Sequence, residues 1–307
     1  MAEPILFDTD PGADDALMLT MAFGHPKIDV VGLTTVAGNT TVENTTENAR
    51  RIAALADADI PVVRGAGRPL VSELSTAEWV HGEKGLRGRE FLPEVEADEG
   101  ERHAAQYIVD AAREYGEELT IAAVGPQTNL ALALALEPEL PDLVGDVYVM
   151  GGSTFSGGNV TPAAEANIHN DPEAAARVFQ DCEVNLAGLD VTMDATLPFD
   201  LADRIEDTHP WKDAVTAWMD YPEGVNDFVE AEGYAVHDAA VTADVIAGVL
   251  TYEPYHVEVD TSEGPSRGST ICDFHGIGGE AENAKVATAI DTAAFRECFL
   301  ESLAGLR

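Results

Sequence analysis

The chain has little positive charge, and this shortage limits the molecules that it can bind. Only 17 of its 307 residues are lysine or arginine, against 56 aspartate and glutamate, which gives a formal net charge of −39 at pH 7. The lysines are Lys27, Lys84, Lys212 and Lys285. Because nucleic-acid binding needs a basic surface to neutralise phosphates, the composition argues against a nucleic-acid partner.

The acidic residues are spread along the chain, with one dense run at 94–102. Such a surplus makes the compact state repel itself at low salt, whereas ~1 M salt shortens the Debye length to ~3 Å and screens the repulsion. We interpret the surplus as adaptation to a high-salt cytoplasm. An acidic surface for a binding partner is the alternative.

Cysteines and long apolar segments are also scarce. The three cysteines, Cys182, Cys272 and Cys298, are odd in number and far apart, which predicts reduced thiols rather than a disulfide framework or a zinc site. No stretch reaches the ~18 consecutive apolar residues of a membrane span. The first ten residues, MAEPILFDTD, lack a basic region followed by an apolar segment. We therefore expect a cytoplasmic protein that has no contact with a membrane.

The chain does have many apolar residues, 45% of the total, which is enough for a large core. Short β-rich runs alternate with helical patterns, and this alternation predicts an α/β fold with a mostly parallel open sheet flanked by helices. No linker rich in proline, glycine or serine interrupts the pattern, so residues 1–307 are predicted to form a single domain. The predicted strands are 4–7, 30–36, 61–65, 119–125, 146–152 and 184–192, and the predicted helices are 13–24, 41–56, 102–116, 128–138 and 171–181.

The rest of the chain gives a weaker pattern. After residue 193 it is helical, with strands expected near 255–260 and 269–274 and a last strand and helix from Lys285 onwards. The stretches 68–100 and 153–170 are predicted to be long loops, and loops of that length are usually functional or disordered.

The stretch DTDPGADDA at 8–16 places four aspartates around a Pro-Gly turn, directly after the first predicted strand. Asp14 and Asp15 fall in the first turn of the next helix, where the helix dipole stabilises each by only ~0.3–1 kcal/mol. Turn formation or helix capping explains any one of these aspartates but not the set. A bound cation with oxygen ligands explains the set. An EF-hand is excluded because Ala13 and Leu19 occupy the positions that need glycine and glutamate.

Other candidate residues stand at the ends of the other predicted parallel strands. These are Asn39, then Val124 before Gly125-Pro126, then Met150 before Gly151-Gly152, and then the polar loop 159–171. Ligands of open parallel sheets bind beyond the carboxyl ends of the strands. The sequence therefore predicts one binding site at this edge of the sheet.

Several separated segments resemble the inosine-uridine preferring nucleoside hydrolase family. They are DTDPGADDA (8–16), TTVAGN (34–39), HGEKGL (81–86), AVGPQTNLA (123–131), VMGG (149–152), GGNVTPAAEANIHNDPEAA (157–175) and AVHDAAVTA (235–243). The resemblance implies a Rossmann-like nucleoside hydrolase fold and an N-ribosyl hydrolase. Such an enzyme cleaves the N-glycosidic bond of purine or pyrimidine ribonucleosides to ribose and free base, and it contains a tightly bound Ca²⁺. It also implies a homodimer or homotetramer.

The resemblance assigns the metal ligands and the catalytic groups by position. Asp10, Asp15 and Asp238 would bind Ca²⁺ through their carboxylates, and Val124 would bind it through its backbone carbonyl. Asp14 would be the general base that takes a proton from the attacking water. His237 would protonate the leaving base. The transition state would have oxocarbenium character, as in glycoside hydrolysis generally.

The resemblance also implies the substrate contacts. Those to the ribose would come from Asn39, Met150, Asn159, Glu165 and Asn167, and His81 lies in a loop that could close over the base. The chain departs from the family at Ala166, where an aromatic residue is common. Trp79, Phe228 and Tyr234 could line the base pocket, and base preference depends on 68–100 and 220–237.

Two other functions stay open from the residues alone. One is a haloacid-dehalogenase-like phosphatase in which Asp8 is the nucleophile and Asp10 the acid, because such enzymes also carry an Asp-x-Asp after a strand. They also need a later lysine and an acidic metal motif, and the four lysines lie outside obvious strand-end motifs, although Lys285 precedes a predicted strand. The other is a non-catalytic binder of nucleosides or Ca²⁺.

Overall fold

A computed structural model describes residues 2–96, 100, 102–220 and 233–306. Its strands are β1 (Glu3–Thr9), β2 (Ile28–Thr35), β3 (Val62–Arg64), β4 (Thr120–Ala123), β5 (Asp146–Met150), β6 (Val184–Ala187), β7 (Thr196–Leu197), β8 (Tyr234–Ala235), β9 (Leu250–Tyr255), β10 (Val257–Val259), β11 (Thr270–Cys272) and β12 (Ala284–Ile290).

The α-helices of the same residues are α1 (Ala13–Gly24), α2 (Val42–Leu55), α3 (Glu78–His81), α4 (Ala104–Tyr115), α5 (Thr128–Leu136), α6 (Leu140–Leu143), α7 (Ala166–Asn170), α8 (Pro172–Asp181), α9 (Leu189–Thr192), α10 (Leu201–Arg204), α11 (Lys212–Trp218), α12 (Ala239–Ala247) and α13 (Thr292–Gly305). Single turns of 3₁₀-helix lie at Glu83–Gly85, Arg89–Phe91 and Gly116–Glu118.

Eight strands form one sheet in the order β3-β2-β1-β4-β5-β6-β12-β9. All neighbouring pairs in it are parallel except β12 with the edge strand β9, so the predicted mostly parallel sheet is confirmed. The short pairs β10-β11 and β7-β8 are antiparallel and separate from it.

Helices cover both faces of the sheet, and the central strand shows why its sequence is continuously apolar. In β1, Ile5 and Phe7 belong to one hydrophobic core and Leu6 belongs to the other. All three side chains are fully buried. Successive residues of a strand point to opposite faces, so a strand covered on both sides has no position for a polar side chain until it reaches the rim. The first aspartates stand at that end of β1.

The predicted strand 184–192 is wrong in its second half. The strand ends at Ala187, Gly188 precedes a turn of helix, and α9 follows at Leu189–Thr192. The error arose because Leu189, Val191 and Thr192 are residue types common in strands, yet they are buried here by packing beside the sheet. Gly188 was the local sign of a break.

Other differences are smaller. The strand at 250–255 was not predicted, and it pairs antiparallel with β12 at the sheet edge. The strands expected near 255–260 and 269–274 are three residues each and form the β10-β11 hairpin. The predicted loops 68–100 and 153–170 contain the short helices α3 and α7. Within the described part of the chain, no helix is both long and apolar enough to cross a membrane.

Candidate active site

Three carboxylates meet at the carboxyl-terminal rim of the sheet. Asp14 and Asp15 lie in the first turn of α1, and Asp238 directly precedes α12. One carboxylate oxygen from each lies within 4.8 Å of the others. Burial raises the pKa of Asp238 well above its usual range, and the nearby carboxylates, first Asp14 and then Asp15, raise it further. The site thus concentrates three carboxylates at a position where Asp15 and Asp238 are buried and Asp14 is only partly exposed.

Asp15 is fixed in place by the turn that precedes its helix. Its carboxylate accepts hydrogen bonds from the Thr9 hydroxyl, from the Gly12 N–H at 2.9 Å and from the Asp10 N–H at 3.2 Å. Burial and the charge of Asp14 raise the pKa of Asp15 to about 6. The DTDPGADD sequence therefore forms a local cradle that orients this carboxylate towards the rim.

Asp10 is buried next to the group of three but is not part of it. Its Oδ2 accepts a hydrogen bond from the Asn39 N–H at 2.6 Å. Its oxygens lie against the backbone of Gly38 and Gly125, where an added Cβ would collide with them. Burial, followed by the charge of Asp15, raises the pKa of Asp10 well above its usual range. The two glycines are therefore needed for three strand ends to approach this carboxylate.

The residues at the rim fit a hard cation. In the described residues, Oδ1 of Asp14 is buried and has no hydrogen-bond partner. Leaving a buried carboxylate oxygen unpaired is costly, and several carboxylates within a few ångströms add mutual repulsion. A divalent ion with oxygen ligands would remove both costs. The donor set contains only oxygen atoms, which suits Ca²⁺ or Mg²⁺ better than a transition metal.

His81 is buried beside Asp14 and is held in one tautomer. Its Nδ1 accepts a hydrogen bond from the Ala13 N–H at 3.1 Å, so the proton of the neutral ring is on Nε2. Burial lowers the pKa of His81 to about 4, against the opposing effect of Asp15, so the ring is uncharged at neutral pH. His81 Nδ1 lies 3.9 Å from Asp14 Oδ1, but the two groups do not form an ion pair because the ring is uncharged. His81 can donate a hydrogen bond from Nε2 at this site.

His237 stands immediately before Asp238 and is half-buried. Its Nδ1 lies 2.9 Å from the Thr192 hydroxyl. Burial lowers the pKa of His237, and the Asp14 carboxylate partly opposes this. The structure thus places both predicted histidines close to Asp14. Nδ1 of His81 is 3.9 Å from Asp14 Oδ1, and the charge of Asp14 affects the pKa of His237.

Four of the predicted ribose-binding residues make hydrogen bonds at the same rim, and these are Asn39, Met150, Glu165 and Asn167. Nδ2 of Asn39 donates to the Asp10 carbonyl at 3.1 Å and to Asp15 Oδ2 at 3.3 Å. Nδ2 of Asn167 donates to the Val124 carbonyl at 2.8 Å and to the Met150 carbonyl at 3.2 Å. The structure therefore places Val124 and Met150, at the ends of neighbouring strands, in contact with the same side chain.

Glu165 has a defined structural task in this group. It is the N-cap of α7, and its carboxylate accepts hydrogen bonds from the Asn167 and Ile168 N–H groups and from the Gly152 N–H. Burial raises its pKa, and these N–H donors oppose the rise. It therefore joins the end of β5 to the start of α7.

Some predicted residues lie apart from the cluster or outside the described residues. Asn159 is exposed, and its Oδ1 accepts from the Ala166 N–H at 3.0 Å. Trp79 is 76% exposed beside His81. Tyr234 is half-buried and packs edge-on against Phe199 at 4.7 Å. Phe228 lies outside the described residues.

Sequence reasoning gave no role to three residues that hold the site together. Thr9 binds Asp15, Thr192 contacts His237, and Asp190 binds the loop after β5. Thr9 could have been found from its position between two aspartates. Asp190 and Thr192 could not, because the stretch that contains them was predicted to be a strand.

The parallel sheet and its acidic rim are those of an α/β enzyme, and comparison with known proteins gives its family. The family model described as inosine-uridine preferring nucleoside hydrolase matches residues 5–297, so the chain belongs to this family and is an N-ribosyl hydrolase. The chain is 38% identical over 307 residues to the non-specific ribonucleoside hydrolase RihC of Klebsiella pneumoniae, covering 99% of each.

Two further similarities agree with this assignment. The pyrimidine-specific ribonucleoside hydrolase RihB of Escherichia coli is 36% identical over 295 residues, which are 94% of this chain and 93% of that protein. A solved plant nucleoside hydrolase superposes with a TM-score of 0.89 at 30% identity, covering 99% of both chains. The predicted resemblance and fold class are thereby confirmed.

Proposed function

We propose that the protein is a Ca²⁺-dependent ribonucleoside hydrolase that cleaves the N-glycosidic bond of purine or pyrimidine ribonucleosides, or of both, to ribose and free base. Ribonucleoside hydrolysis follows from the family, and the metal, the residue roles and the base range are the proposed parts. The observation that carries the proposal is the buried carboxylate group of Asp14, Asp15 and Asp238, with its unpaired Asp14 oxygen.

Asp10, Asp15 and Asp238 would hold the Ca²⁺, together with the Val124 carbonyl. The oxygen-only donor set and the raised pKa values of Asp10 and Asp238 support this choice, because a cation would favour the ionised carboxylates. When bound, the ion would lower the pKa of a water molecule and anchor sugar oxygens.

Asp14 would accept the proton of the attacking water as general base. Its buried, unpaired Oδ1 can take a proton, and a group in this role typically contributes ~10²–10⁴-fold to the rate. The surrounding carboxylates would stabilise the positive charge that develops on the ribose as the glycosidic bond breaks. His237 would supply a proton to the leaving base, and His81 would donate a hydrogen bond to it from Nε2.

Asn39, Met150, Asn159, Glu165 and Asn167 would hold the ribose. Glu165 accepts hydrogen bonds from the Asn167 backbone, so these two residues are held as one unit. Buried polar groups that pair with sugar hydroxyls discriminate against a substrate that lacks them, because they would be left unpaired. We therefore propose a preference for ribonucleosides over 2′-deoxyribonucleosides.

The base range is proposed as broad because the relatives differ. One is named as non-specific and another as pyrimidine-specific, at 38% and 36% identity. These identities are too close to each other to favour one relative's preference. Among the described residues, His81 and the exposed Trp79 are the ones that we propose to contact the base.

The test is a panel of inosine, uridine, cytidine and adenosine, incubated with the Ca²⁺-loaded protein in ~1 M salt, where exposed charges are screened. We expect release of ribose and free base from at least one of them. Nucleoside binding without any ribose release, measured by calorimetry and product analysis, would instead indicate a non-catalytic binder. The proposal would be rejected if no nucleoside is hydrolysed although the metal is bound.

Asp8 gives a prediction that separates this function from a phosphatase. Asp8 is fully buried, and its Oδ1 accepts hydrogen bonds from Thr34 at 2.7 Å and Asn129 at 2.8 Å. A nucleophile in that position could not reach a phosphate ester. We expect Asp8→Asn to keep both hydrogen bonds and most nucleoside hydrolysis, and the wild-type protein to be inactive on p-nitrophenyl phosphate. Phosphatase activity that disappears in Asp8→Asn would contradict this.

The remaining properties are proposals that rest on composition and fold. We propose adaptation to a high-salt cytoplasm because the net charge is −39, and expect both melting temperature and turnover to rise between low salt and ~1 M salt. We propose that residues 1–307 form one domain because the main sheet takes strands from Glu3 to Ile290.

The family resemblance suggests a homodimer or homotetramer, which light scattering would identify.

A further inference from the structure

The loop after β5 is bound by a single carboxylate from the neighbouring strand-helix turn. Asp190 lies in the first turn of α9, and its Oδ2 accepts hydrogen bonds from the N–H and the hydroxyl of Thr154, at 2.6 and 2.8 Å. Its Oδ1 accepts from the N–H groups of Phe155 and Ser156, at 3.1 and 2.8 Å, and from the Ser153 hydroxyl at 3.2 Å. Both oxygens of Asp190 are therefore used to hold four consecutive residues.

The charge of Asp190 matters to this arrangement. Burial would raise its pKa, but the hydrogen bonds from Thr154 and the adjoining residues outweigh burial and hold the pKa below its usual range. Hydrogen bonds to an ionised acceptor are about twice as strong as neutral ones. An asparagine would place an N–H₂ group against one set of N–H and O–H donors, so the arrangement requires a carboxylate.

The bound loop leads to residues that are proposed to hold the ribose. Residues 151–165 form a loop that leaves the sheet at the end of β5 and returns at Glu165, and we call it the 151–165 excursion. The Glu165 carboxylate accepts a hydrogen bond from the Gly152 N–H at 2.9 Å. The first part of the excursion, at Ser153, is also held by Thr270. The Thr270 hydroxyl donates to the Ser153 carbonyl and accepts from the Ser153 N–H. Asn159 lies at the exposed middle of this excursion. The position of Asn159 therefore depends both on how residues 153–156 are anchored and on the hydrogen bond that its Oδ1 accepts from the Ala166 N–H.

The metal group is carried by other elements. Asp14 and Asp15 lie on α1, and Asp238 precedes α12, so neither segment includes the 151–165 excursion. A change in the loop after β5 should alter substrate binding and leave the carboxylate group in place.

We propose that Asp190 is a positioning residue that holds residues 153–156 so that the 151–165 excursion presents Asn159 and Glu165 to the ribose. This inference rests on the proposed function and concerns how the enzyme binds the sugar. Asp190 acts through the loop and not by contact with the substrate.

The test is Asp190→Asn in the full chain, measured with a nucleoside that the wild-type enzyme hydrolyses and with Ca²⁺ affinity from calorimetry. Losing one charge-assisted interaction predicts a rise in KM of about tenfold with kcat changed little. Ca²⁺ affinity should change far less than KM, because the carboxylates of Asp14, Asp15 and Asp238 lie on other elements. The matched control is Asp291→Asn, because Asp291 also accepts hydrogen bonds from successive N–H groups, those of Ala293 and Ala294, and lies exposed at the N-cap of α13. We expect wild-type kinetics from it.

A double-mutant cycle with Asn159→Ala separates positioning from general stability. If Asp190 acts through the excursion, the two changes affect KM less than additively, because each disrupts the same contact. Additive effects, an unchanged KM, or a parallel loss of kcat and Ca²⁺ affinity would overturn the proposal. If Asp190→Asn does not fold, Thr154→Val removes one of the five hydrogen bonds and should still raise KM. An unchanged KM in that variant, when Asn159→Ala raises it, would also overturn the proposal. A wild-type protein that hydrolyses no nucleoside counts against the proposed function instead.

Discussion

Asp14→Asn is expected to lower kcat by about 10²–10⁴-fold, the usual contribution of a general base, while most Ca²⁺ binding is retained. Asparagine has nearly the same shape but cannot accept a proton. The buried Asp14 Oδ1 has no partner among the described residues, so the substitution breaks no hydrogen bond at that oxygen. Ribose release gives kcat, and calorimetry gives the Ca²⁺ affinity.

The control for this change is Asp213→Asn. Asp213 lies in the first turn of α11, as Asp14 does in α1, but it is exposed and distant in sequence from the rim residues. We expect wild-type kcat from Asp213→Asn. This variant measures the effect of losing a charge at a helix N-terminus that is not part of the site. A kcat within a few-fold of wild type in Asp14→Asn, a much smaller loss than general bases give, would remove Asp14 from the role of base.

Removal of Ca²⁺ is expected to abolish turnover and to lower the melting temperature. The metal-free protein must keep the carboxylates of Asp14, Asp15 and Asp238 together without a counter-ion, which costs repulsion. A ligand that binds only the folded state at about 100 times its Kd adds about 2.7 kcal/mol to the free energy of unfolding. Thermal unfolding with EGTA and then with added Ca²⁺ measures this, and turnover should return with the metal.

Asp238→Asn makes the same experiment sharper because it should change two melting temperatures in different ways, that of the metal-free protein and that of the Ca²⁺-bound protein. Removing one negative charge should keep or raise the melting temperature of the metal-free protein, and the removed ligand should reduce the rise that Ca²⁺ produces. A merely structural aspartate would lower the melting temperature in both conditions. An equal Ca²⁺-induced rise in Asp238→Asn and wild type, or no rise in wild type, would argue against a metal at this group.

Local pattern was sufficient for much of the fold. The first helix was predicted at 13–24 and is observed at Ala13–Gly24, because Gly12 precedes it and a His-Pro pair follows Gly24. The strands β1, β2, β4 and β5 were found for a similar reason, since their buried runs are bounded by turn residues. The approach of several predicted residues was also foreseeable, because parallel strands end at a common edge.

Long-range contacts decided what local pattern could not. The stretch 184–192 has strand-like composition, but it bends into helix α9 because Gly188 and Leu189 pack against the end of β5, where the Leu189 N–H donates to the Gly152 carbonyl. Only that bend brings Asp190 to the 153–156 loop. The edge strand β9 was missed because its pairing with β12 is a tertiary contact between two segments of ordinary composition.

The sequence by itself determined the identity of the acidic turn, the parallel sheet and the family resemblance, because each depends on residue types at fixed short spacings. The resemblance had already grouped Asp238 with Asp10 and Asp15, and the tertiary structure decided which of these carboxylates lie within a few ångströms of one another. It brought Asp238 to Asp14 and Asp15, left Asp10 just outside that group, and used Asp190 and Thr192 to hold a loop and a histidine. The physical reason is that distance through space depends on how the core packs the strands and helices together, and no local periodicity contains that information.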